Sequence, residues 1–111
     1  MNRIPMSAAA AGLLRALIER AGVPRDRILL TDIQSTDWRS LTFTGERHQF
    51  DLRIPPPDDK LAIECLCTGL EDCEFSIPGV IVADVGAVGP AEQEPDGSMC
   101  LTIEALTVND D

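Results

Sequence analysis

"RSLTFTGERHQFDLRI", residues 39–54, reads as alternating apolar and polar for its whole length, and where it turns decides the architecture. Period-two alternation marks a strand with one buried face. Gly45-Glu46 sits mid-stretch with glycine first, as a two-residue type II′ hairpin turn requires. That turn pairs Thr44 with Arg47, Phe43 with His48, Thr42 with Gln49, Leu41 with Phe50 and Ser40 with Asp51. Leu41, Phe43, His48, Phe50, Leu52 and Ile54 then form the core face, and Ser40, Thr42, Thr44, Arg47, Gln49, Asp51 and Arg53 the wet one. The same register sets Trp38 opposite Arg53 on the wet face, in reach of a cation–π contact.

Upstream, Ser7 is placed to cap a helix over 7–21 whose Ala10, Leu13, Leu14, Leu17, Ile18 and Ala21 recur at helical spacing. Gly22 and Pro24 end it. Arg15, Glu19 and Arg20 interrupt the apolar stretch, so it reads as a helix of the folded domain rather than a signal segment. "DRILLTDIQ" predicts a separate strand over about 27–33.

Downstream, "PPPDD" at 55–59 stops the hairpin, because proline cannot donate to a ladder. Asp58 or Asp59 then caps a second helix. "GVIVADVGAV" and "MCLTIEALTV" read as two further strands around the acidic loop "GPAEQEPDGS", and the final "NDD" as a frayed end. The order is therefore αβββαββ. The fold class predicted is α+β, a single domain over 1–111 with an antiparallel sheet of about five strands and two helices packed on one face.

Three of four cysteines fall in "AIECLCTGLEDC", residues 62–73. On a helix, Cys65 and Cys67 diverge by about 200° and cannot chelate one ion together. The context is helical: Ala62, Ile63, Leu66, Cys67 and Leu70 make one face, opposite Lys60, Glu64, Thr68, Glu71 and Asp72. Cys67 is then core and Cys65 surface, beside acids that raise rather than lower a thiol pKa. No Cys-x-x-Cys pair is present, and neither a metal nor another cofactor is expected.

Composition narrows the function classes. Hydrophobic residues make up 44% and mean hydropathy is +0.02, enough apolar surface for one core, while no run reaches the ~20 residues that span a bilayer. Residues 1–55 carry eight arginines against six acids; residues 56–111 carry Lys60 alone against thirteen acids. A net charge of −10 disfavours both nucleic acid and anionic membranes as partners. The expectation is a cytoplasmic, reducing compartment with free thiols.

His48, the one histidine, must carry any imidazole chemistry. Asp84 and Glu104, acids within apolar strands, are the carboxylates that hairpin pairing brings together. These three are the catalytic candidates of an enzyme or ligand-binding reading, with a pocket between sheet and helices. The favoured expectation is a non-enzymatic interaction module that binds a protein partner or forms a homo-oligomer. Its surface is Trp38, Arg39 and Arg53, since Trp and Arg concentrate at interface centres.

Overall fold

A computed structural model describes residues 5–57 and 59–110. Helix α1 spans Ala8–Ala21, β1 Leu29–Arg39, β2 Thr44–Ile54, α2 Asp59–Cys67, β3 Val80–Ala87, β4 Glu92–Gln93 and β5 Met99–Asn109. Two short 3-10 turns, Arg25–Arg27 and Leu70–Asp72, follow the helices. All strand pairs are antiparallel in the order β1-β2-β5-β3, with β4 also on β5, so the α+β class and five-stranded sheet are as the sequence predicts.

Helix α1 forms as its sequence dictates. Ser7 Oγ accepts from Ala10 N–H at 3.1 Å, and Gly22 closes the other end in the left-handed region at φ 74°. Asp59 starts α2, while Asp58 lies outside the described residues. Ala10, Leu13, Leu17 and Ala21 of α1 and Ala62 and Leu66 of α2 are buried against Phe50, Leu52, Ile54, Leu101, Ile103 and Ala105, so both helices cover the same sheet face. Arg20 ties them together: its Nε donates to Leu66 O at 3.0 Å, Nη2 donates to Thr68 O and Nη1 to Cys73 Sγ at 3.4 Å. The guanidinium thus serves the carbonyl end of α2, where a cation complements the helix dipole.

The hairpin register differs from the sequence expectation. β1 runs unbroken to Arg39, the turn is Ser40–Phe43, and His48 pairs with Ser35 rather than Phe43. The strand order is accordingly αββαβββ. Two effects outweigh the glycine signal. The long β1 makes ten ladder pairs with β2 and lays Leu30 and Ile33 against Leu52 and Phe50. Ser40 closes the turn without glycine, its N–H donating to Phe43 O at 2.8 Å while its Oγ accepts from Phe43 N–H at 3.0 Å.

Gly45 is needed for another reason. A Cβ there would collide with the backbone oxygen of Thr107, so the residue marks close approach of β2 and β5, not a turn. Leu41 (104% exposed) and Phe43 (54%) leave the core face assigned to them, while His48, Phe50, Leu52 and Ile54 keep it. Asn109 belongs to β5 and donates from Nδ2 to Thr44 Oγ1 at 3.0 Å, and Asp110 N–H donates to Gly79 O at 3.0 Å, so the end expected to fray is held at these two residues, while Asp111 lies outside the described residues.

Candidate functional site

His48 is 2% exposed on the helix-covered face of β2. Its Nδ1 lies 2.8 Å from Ser35 Oγ on β1 and its Nε2 2.8 Å from Thr107 Oγ1 on β5, which is itself 1% exposed. Its ring stacks on Phe50 at a centroid distance of 5.9 Å. Burial holds the imidazole below its ordinary pKa, against the opposing pull of the Glu46 carboxylate. A neutral ring offers one donor and one acceptor nitrogen, and a hydroxyl meets each.

The two candidate carboxylates lie on the other side. Glu104 pairs with Gln49 and Asp84 with Leu106, whereas His48 pairs with Ala105, so alternation along β5 turns His48 away from both acids. Arg47, His48, Gln49, Asp84, Glu104 and Ala105 all border a depression of about 250 Å³; the exposed acids Asp84 and Glu104 stand on its helix-free face, while the His48 ring is buried on the other face. The convergence that an acid–base reading requires is therefore limited to the acids. Thr107 was legible as a hydroxyl within the buried stripe Leu101, Ile103, Ala105; Ser35 was not, because its place depends on the register.

Of the surface residues, Trp38 and Arg39 are neighbours on β1 but face opposite sides of the sheet, and Arg53 separates from both. Trp38 is half-buried on the helix-free face opposite Gly45, and Arg53 lies eight residues further along β2, about 27 Å at ~3.4 Å per residue. Arg53 instead pairs with Asp96. The cation–π contact expected from the sequence does not form.

The thiols are dispersed. Cys65 is exposed on α2, and burial raises the pKa of half-buried Cys67 despite nearby Arg20. Cys73 lies beyond α2, and Cys100 faces the opposite side of the sheet with its Sγ donating to Glu94 Oε1 at 3.3 Å. All four are free, and among the described residues no three or more His, Cys, Asp or Glu side chains group as metal ligands.

β1 forms one margin of the sheet. With Ser40 and Phe43 as a bonded pair, bonded pairs recur every second residue, at Trp38–Gly45, Thr36–Arg47 and Gln34–Gln49. Ile33, Ser35, Asp37 and Arg39 consequently direct their backbone N–H and C=O outward, away from β2. Edges of this kind are normally blunted by charged side chains, lysine above all, by proline or by a bulge; of these β1 carries Asp32, Asp37 and Arg39. "LLTDIQSTDWR" has no lysine or proline, and its bulge, between Leu30 and Asp32, leaves 32–39 regular. No protein-family model matches the chain, and no curated protein matches it. No helix among the described residues is long and apolar enough to cross a membrane.

Proposed function

We propose that this chain is a non-enzymatic cytosolic interaction module that self-associates by strand addition along β1. The observation that carries the reading is the eight-residue regular edge from Asp32 to Arg39, with alternate backbone groups facing outward and no proline or lysine to block it. Half-buried Trp38 near its end and fully exposed Leu41 in the adjoining turn supply apolar surface beside those backbone groups. Four free thiols suit a reducing compartment.

Proline at position 37 tests it, because that N–H points outward and its loss spares the β1–β2 ladder. Light scattering across a concentration series is expected to give a mass rising above one chain for the wild type and a monomer for Asp37→Pro, with unchanged circular dichroism. A wild type that stays monomeric at high concentration, or a mass indifferent to the proline, overturns the reading.

One observation favours a second reading, a hydrolase with Ser35 as nucleophile: Ser35 is exposed and 2.8 Å from the neutral His48 imidazole. A fluorophosphonate probe is its test, with labelling abolished by Ser35→Ala and by His48→Gln. Absence of labelling in the wild type removes it.

A further inference from the structure

The charges at the end of β1 specify what it pairs with. Asp37 and Glu46 stand directly opposite one another on β1 and β2, two acids on one face, an unfavourable cross-strand pair. Among the described residues neither forms an ion pair, and Arg39, two residues along the same face, forms none either. Asp37, Arg39, Thr44, Glu46 and Asn109 border a depression of about 430 Å³. Among the described residues the acids lack a cation, and Arg39 lacks an anion.

A second copy supplies both. An antiparallel pair of identical strands keeps the two sheet faces in common only if its two-fold axis passes through a residue rather than between two. Of the axes through Asp32 to Arg39, those at Asp32, Asp37 or Arg39 set like charges together. Those at Ile33, Gln34, Ser35 or Thr36 set no acid against a base. The axis at Trp38 alone sets Asp37 against Arg39, twice. It also meets the backbone phase, since residues 37 and 39 carry the outward N–H and C=O groups and Trp38 becomes a non-hydrogen-bonded pair, where side chains approach closest.

We propose that two copies of this chain join their sheets antiparallel through β1 with Trp38 on the two-fold axis, Asp37 of each facing the partner's Arg39 and bringing that guanidinium to the Asp37–Glu46 acid pair. This rests on the β1-edge reading and adds to it a register.

Charge exchange tests the register. Asp37→Arg and Arg39→Asp each set like charges across the axis and are expected to raise the dimer dissociation constant about a hundredfold. The double variant Asp37→Arg/Arg39→Asp restores opposite charges and is expected to recover the dimer. Asp37→Arg also relieves the clash with Glu46, so its monomer remains folded. Emission from Trp38, the one tryptophan, should shift to the blue on dimerisation in the wild type and double variant and not in the single variants. A dimer abolished by Asp37→Pro but unmoved by the single charge changes, or not recovered by the double one, overturns the register and leaves the edge reading standing. A wild type that never dimerises, or a dimer indifferent to Asp37→Pro, overturns both.

Discussion

His48 Nε2 and Thr107 Oγ1, 59 residues apart in the chain, lie 2.8 Å from each other in the interior. With Ser35 on the other ring nitrogen, they join the three strands β1, β2 and β5 through one imidazole. A buried ring nitrogen without a partner is costly, so the two hydroxyls determine whether histidine is tolerable here.

Thr107→Val keeps the shape and removes that partner. The expected loss of stability is about 1–3 kcal/mol in urea denaturation, and His48→Leu/Thr107→Val should cost less than the sum of the single changes because both polar groups leave together.

Acidification acts on the same residue. The folded state lowers the His48 pKa from its usual 6.5, so between that lowered value and about pH 6.5 the unfolded chain binds more protons. Stability from this group is complete above pH 6.5, falls as pH drops toward the folded value and is flat below it. Denaturation midpoints measured from pH 7.5 to 4.5 should reveal this slope, and His48→Gln should remove its contribution.

Gly45→Ala places a methyl group against the Thr107 carbonyl, where backbone must shift. About 1–3 kcal/mol is the expected cost, with slowed protection of β2–β5 amides from hydrogen exchange diminished first along Glu46–Thr107 and Gly45–Val108. Gly22→Ala is a contrasting control: no atom lies within 4 Å of its added Cβ, and the penalty of about 1 kcal/mol comes from φ of 74°.

Arg20→Ala is expected to cost about 1–2 kcal/mol by leaving Leu66 O and Thr68 O without their donor. Arg20→Lys should rescue little, since one ammonium cannot reproduce the planar fork that reaches two carbonyls and Cys73 Sγ at once. Removing Arg20 should also raise the Cys67 pKa further, measurable as slower thiol alkylation at mildly alkaline pH.

Local signals were sufficient wherever the determining interactions lie within a few residues. Ser7, Gly22 and the apolar stripe of α1, the diverging cysteines of α2, and the alternation that buries His48, Phe50, Leu52 and Ile54 all follow from helix and strand periodicity. The pairing of the hairpin does not. Gly45 is equally consistent with a turn and with close approach of two strands, and the deciding partner, Thr107, lies 62 residues away. Placing the turn at Ser40–Phe43 gave β1 its partners on β2, brought Ser35 to His48 and Asp37 to Glu46, and parted Trp38 from Arg53. For β2, sequence alone determined which face is buried, because alternation is a property of one chain segment. Which residues meet across those strands was decided only by tertiary structure, because register depends on the summed contacts of three strands packed under two helices.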